Sequence, residues 1–130
     1  MQRRRRGLTL VELMTAIVIV GVLTTIAIPR FWRIREHAFL ATLQSDLRLL
    51  AAQQELYQDR ANEYAGSLGL LPDFHPTSGV TVALTAATSG GWAAVATHAS
   101  LNARQCGLFY GSVAADAAPP ATRSGVVTCN

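Results

Sequence analysis

From Leu8 to Ile28 the chain runs for 21 residues with one charged side chain, Glu12. As a helix this run is about 32 Å long at 1.5 Å per residue, enough to cross the hydrocarbon core of a bilayer. Four arginines, Arg3 to Arg6, stand immediately before it. The positive-inside bias then keeps the N-terminus in the cytoplasm and sends everything after the run across the membrane, into the periplasm or beyond. What is left of the 130 residues is enough for one small domain on a stalk.

The same arginines distort the overall charge. The chain has 11 basic and 8 acidic residues and no Lys. Without Arg3 to Arg6 the balance is 7 against 8, so no basic face of the folded part indicates a nucleic-acid partner. The two cysteines, Cys106 and Cys129, lie far beyond the apolar run, on the exported side. An oxidising compartment favours a disulfide there over two free thiols, and no His or carboxylate has the spacing of a metal site around them.

After Pro29 a second helical pattern follows, with Leu40, Leu43, Leu47, Leu50, Gln54, Tyr57, Ala61 and Tyr64 on one face. Gly66 is the expected stop, giving about 55 helical residues bent or interrupted at Pro29. Residues 8–28 form the apolar half of this helix and 29–65 the amphipathic half; residues 66–130 make a loop and sheet head. Four strands are expected, at Val80–Ala86, Trp92–Thr97, Gln105–Gly111 and Val126–Cys129, with Ser89-Gly90-Gly91 turning the first into the second. Val80, Val82 and Leu84 alternate with Thr81, Ala83 and Thr85, so one sheet face can cover the leucine face of the helix. The fold class is α+β, a long N-terminal helix on a four-stranded antiparallel sheet. Ala114 to Ser124, with Pro119-Pro120, reads as a small-residue loop.

The segment Arg3 to Leu13, RRRRGLTLVEL, resembles the start of type IV pilins and of the related type II secretion pseudopilins. Their precursors have a short basic leader ending in Gly, a hydrophobic first mature residue, Glu at mature position five and about twenty apolar residues. Gly7, Leu8 and Glu12 occupy those positions, with Leu8 where most pilins have Phe. Gly21 and Pro29 also fall where pilin helices have Gly and Pro. The resemblance implies that a prepilin peptidase removes residues 1–7, that the new N-terminus at Leu8 is methylated, and that the subunit joins a helical homo-oligomeric filament through inner-membrane assembly machinery. It implies residence in the inner membrane before assembly and in an extracellular pilus after it. Cys106 and Cys129 resemble the ends of the disulfide-closed region of many type IV pilins. Closing about 24 residues contributes roughly 3 kcal/mol in the chain-entropy view.

Glu12 points the same way on physical grounds, because a carboxylate at membrane depth costs several kcal/mol unless it is paired. The amine created at Leu8 by cleavage is the nearest cation, on the same chain or a neighbour; Thr9 either hydrogen-bonds the same amine or is a spectator. The bland alternative sets Glu12 at headgroup level with no role. Gly21 and Pro29 either add simple curvature or, as the resemblance implies, bound a stretch that loses helical hydrogen bonds on leaving lipid. Thr24, Thr25 and Ile26 lower helix propensity between them.

Catalysis is not indicated. His37, His75 and His98 are scattered singly, and Ser78, Ser89, Ser100 and Ser112 lie in turn-rich contexts without a nucleophile elbow. No phosphate-binding Gly loop or acidic cluster suggests a cofactor or metal. Phe31 and Trp32 read as packing or interfacial anchors. A twin-arginine export signal fits poorly, because Thr25-Ile26-Ala27 is a poor cleavage site and Glu12 interrupts the apolar region. The reading is therefore a type IV pilus subunit, serving adhesion, twitching motility or DNA uptake. A type II secretion pseudopilin is the first alternative, although no calcium-ligand cluster of the kind found in major pseudopilins is evident near the C-terminus. The second alternative is a signal-anchored periplasmic binding module that never polymerises.

Overall fold

A computed structural model describes residues 7–130, and the Arg3–Arg6 leader lies outside them. One helix, α1 (Leu10–Ala61), is followed by four strands, β1 (Val80–Thr88), β2 (Gly91–His98), β3 (Gln105–Gly111) and β4 (Thr128–Cys129). The strands form one antiparallel sheet in the order β1-β2-β3-β4. This is the α+β arrangement that the sequence predicts. By contacts the chain divides into two compact units, Met1–Arg35 and Glu36–Asn130.

The first unit is the apolar part of α1. Its large side chains, among them Leu10, Val11, Ile17, Val20, Leu23 and Ile28, are all more than half exposed. A water-stable helix hides one stripe, and this one hides none. Pro29 lies inside α1. It has no N–H, so the Thr25 carbonyl one turn earlier lacks its helical donor.

In the second unit Leu43, Leu47, Leu50 and Gln54 of α1 are fully buried, as their spacing requires. They pack in one core with Val80 and Val82 of β1, Trp92, Ala94 and Ala96 of β2, and Cys106 and Leu108 of β3. The register slips between Leu84 and Ala86, a bulge that puts Ala87 on this face and Ala86 on the other. On the other face Ala93, Phe109, Ala118 and Ala121 form a second, smaller core. The segment read as a plain loop is thus a cover for the sheet. It comes so close to β3 that a Cβ on Gly107 would overlap the Ala118 carbonyl, and Gln105 Nε2 donates to the Pro119 carbonyl at 2.9 Å.

Three boundaries differ from expectation, each for a local reason. The helix stops at Ala61 because Asn62 adopts a left-handed φ of 57° and its N–H bonds the Gln58 carbonyl, an αL cap that ends the helix before Gly66. The first hairpin is tighter than expected, since Thr88 pairs with Gly91 and the Thr88 hydroxyl accepts from the Gly90 N–H. The last strand is two residues long, because the Val126 N–H turns back to the Arg123 carbonyl and Gly125, at φ 74°, donates to the Phe109 carbonyl.

Two buried polar side chains of α1 tie the head together. Gln54 donates to the Ala65 carbonyl at 3.1 Å and accepts the Ala65 N–H at 2.8 Å, satisfying backbone where the chain leaves the helix. Asp46, only 4% exposed, accepts the Thr77 N–H at 2.7 Å and its hydroxyl at 2.9 Å. Asp46→Ala strands the Thr77 N–H, so we predict a loss of about 1–3 kcal/mol in head stability. Denaturant unfolding of the full chain in micelles, followed by the fluorescence of Trp92, measures it. A midpoint equal to the parent's would show that this tether contributes nothing.

Candidate functional site

The residues singled out by the sequence fall in two places, the start of α1 and the β3–β4 edge of the head. At the first, the sequence T-L-V-E from Thr9 to Glu12 builds a reciprocal cap. The Thr9 N–H and hydroxyl both donate to Glu12 Oε2 at 2.9 Å, and the Glu12 N–H donates back to Thr9 Oγ1 at 3.2 Å. This is a capping box, in which two N–H groups that a helix start leaves unpaired are satisfied by two side chains three residues apart. Sequence reasoning left the Thr9 hydroxyl either to an amine at Leu8 or to no role. It missed the box, although Thr-x-x-Glu ahead of an apolar run is its recognisable signal.

The carboxylate's position is thereby fixed at the positive end of the helix dipole, where negative charge is favoured. Leu8, immediately before the cap, is 79% exposed. Gly7 precedes it, and a Cβ added there meets no atom of the described residues within 4 Å, so no packing among them requires glycine at that position. The same holds for Gly21 in the helix. Between Gly21 and Pro29 the Thr24 and Thr25 hydroxyls donate to the Val20 and Val22 carbonyls at 2.6 and 2.7 Å. Such back-bonding keeps a hydroxyl satisfied in apolar surroundings and weakens the helix slightly.

At the second place Cys106 and Cys129 form a disulfide, facing each other as register partners of β3 and β4. With two residues in β4, the covalent link and the paired bonds between Gln105 and Asn130 hold the C-terminus to the sheet. His98 is structural: it stacks on Phe39 with ring centroids 4.2 Å apart, and its Nδ1 accepts the Ser100 N–H. His37 and His75 are exposed. Phe31 and Trp32 are exposed too, and the Arg35 guanidinium lies 5.9 and 5.6 Å from their ring centroids.

Among the comparisons with known proteins, a family model falls on the first place. Residues 2–28 match the family model for the prokaryotic N-terminal methylation motif. Over 73 residues, 54% of this chain, the sequence is 33% identical to the type IV major pilin protein PilA of Myxococcus xanthus. Over 58 residues, 45% of this chain, it is 40% identical to the type II secretion system core protein G of Dickeya chrysanthemi. The matched stretches cover 33% and 38% of those relatives, so this chain spans little more than a third of either.

The capping box makes a prediction of its own. Thr9→Val removes the hydroxyl that receives the Glu12 N–H, and a lost cap costs about 0.5–2 kcal/mol. Amide hydrogen exchange at Glu12 of the full chain in micelles should accelerate several-fold, with exchange in β2 unchanged. Unchanged exchange in the first turn would refute the box.

Proposed function

We propose that this is a type IV pilin-like chain, a structural filament subunit cleaved between Gly7 and Leu8 and methylated at Leu8. The observation that carries the reading is a coincidence of position. The methylation-motif match covers most of the segment whose apolar side chains no other described residue buries. Each large apolar residue gains about 1.5–3 kcal/mol on leaving water. More than a dozen stand exposed between Leu8 and Ile34, so the helix is tens of kcal/mol short of a suitable solvent. Lipid supplies that solvent first, and the same surface of other copies supplies it in a filament. The motif and the apolar helix fit anchoring in the inner membrane, with the head outside, where a disulfide is stable.

Glu12 is the residue of this segment that distinguishes an assembling subunit from a plain anchor. In a filament core no water reaches it, and the amine at Leu8 is the available counter-charge. Thr9 holds the carboxylate in place, and the stretch from Gly21 to Pro29 supplies backbone that gives way when the subunit leaves lipid. The disulfide-closed C-terminus favours a pilus, with the 40% match to core protein G supporting a secretion pseudopilus as the second reading. The family is one of structural subunits, and no enzymatic step is assigned to this chain.

Mass spectrometry of the protein recovered from its membrane should find it starting at Leu8 with one added methyl group. A start at Ile28 would return the chain to the class of cleaved signal peptides. Glu12→Ala should insert into the membrane as well as the parent, because the span becomes more apolar, yet yield few or no sheared filaments. Filaments of normal number from the variant alone would remove Glu12 from assembly. Loss of protein export, with no surface filaments in the parent, would select the pseudopilus.

A further inference from the structure

The apolar run ends in cations on both sides. Arg30 and Arg33 follow it directly; they lie three residues apart, hence on one helical face. With Ile26 and Pro29 they line a shallow, open recess on one face of α1, with about 270 Å³ of space. Among the described residues neither arginine has an ion-pair partner, and Glu36, the nearest acidic residue along the chain, is bonded to Arg104 at 2.9 Å. Phe31 and Trp32 beside them are 58% and 62% exposed.

We propose that this recess holds the phosphate-bearing headgroup of an anionic phospholipid in the outer leaflet of the membrane that the apolar run crosses. The inference rests on the membrane reading given above. Topology does not call for these charges, since the positive-inside bias places Arg on the other side of the span. Their chemistry suits phosphate: each guanidinium offers a planar fork of donors that matches two phosphate oxygens. The floor decides the source. Ile26 and Pro29 continue the apolar surface of the span, so the site fits an anion that carries an acyl chain alongside it, whereas a free phosphate gains nothing from that floor. Trp32 is of a residue type that settles at the headgroup level, and it sets the depth of the pair. A lipid held here keeps the subunit at one depth, and it has to be released when the subunit leaves the bilayer.

The test uses the full chain, reconstituted in liposomes of phosphatidylcholine alone or mixed with phosphatidylglycerol. Native mass spectrometry after gentle extraction reads the retained lipid. The parent should keep phosphatidylglycerol in preference to phosphatidylcholine, and R30Q/R33Q should reduce that preference on the order of 30-fold. Arg60→Gln, farther along the same helix, should leave it unchanged. Equal retention of both lipids by the parent, or an undiminished preference in R30Q/R33Q, overturns the site. Flotation on phosphatidylcholine liposomes keeps the two readings apart: the parent and every variant should float, and if none does, the membrane reading fails rather than the lipid site alone. Reduced filament yield in R30Q/R33Q with lipid retention intact would assign the pair to a neighbouring subunit and overturn the lipid assignment.

Discussion

One helix has to satisfy two different surroundings, and the remaining structure follows from that division. Up to Ile34 its large side chains are exposed on every side, and from Leu43 to Gln54 one face is buried. An apolar cylinder without a hidden face gains little from its own chain, and on the proposed reading its environment comes from lipid or from other subunits. The amphipathic part carries the opposite demand. Its leucines need a partner on one side only, and an antiparallel sheet with one apolar face is the simplest cover.

That cover is built from small residues. Ala94 and Ala96 follow Trp92 on the inner face of β2, so on that strand the bulk is supplied by one indole, and the leucines of the helix fill the space over the alanines. Burying alanines contributes little per residue, and a head of this size has a small margin of stability. The polar ties compensate. Asp46 and Gln54 each fasten backbone outside the helix to a buried position on it, and the disulfide fixes a strand too short to hold itself. Among exposed contacts, the Arg104–Glu36 pair adds little, since both partners stay in water.

Periodicity carried most of the fold in the sequence. Alternation fixed the inner face of β1 as far as Leu84, and the three-four spacing identified Leu43, Leu47 and Leu50. Contacts between distant residues were not legible in the same way. Nothing in the sequence marks Asp46 as the partner of Thr77, because the two are 31 residues apart and an Asp on a helix ordinarily faces water. The Ala-rich stretch before Cys129 has no periodicity, so its role as the cover over Phe109 emerges only once the sheet exists. At the N-terminus the situation is reversed. The candidate site was legible by motif, while its local geometry, the Thr9–Glu12 box, was overlooked because the carboxylate had already been given to an amine.

Both roles of Glu12 fit one geometry. In the uncleaved chain the two Thr9 bonds fall on Oε2, and the carboxylate sits over the first turn. On the proposed reading, cleavage at Gly7 turns the amide nitrogen of Leu8 into a cation one residue before the cap. A positive charge at the positive end of a helix dipole is unfavourable, the more so where lipid or packed subunits exclude water. The carboxylate that satisfied the N–H groups is then the group positioned to offset it, with Oε1 as the acceptor. One carboxylate must therefore answer to the helix start and to the new amine together, and a neighbouring subunit's amine can compete for the same oxygen. Docking that brings the two charges together gains most where water is scarcest, which makes the pairing a condition of assembly rather than of membrane insertion.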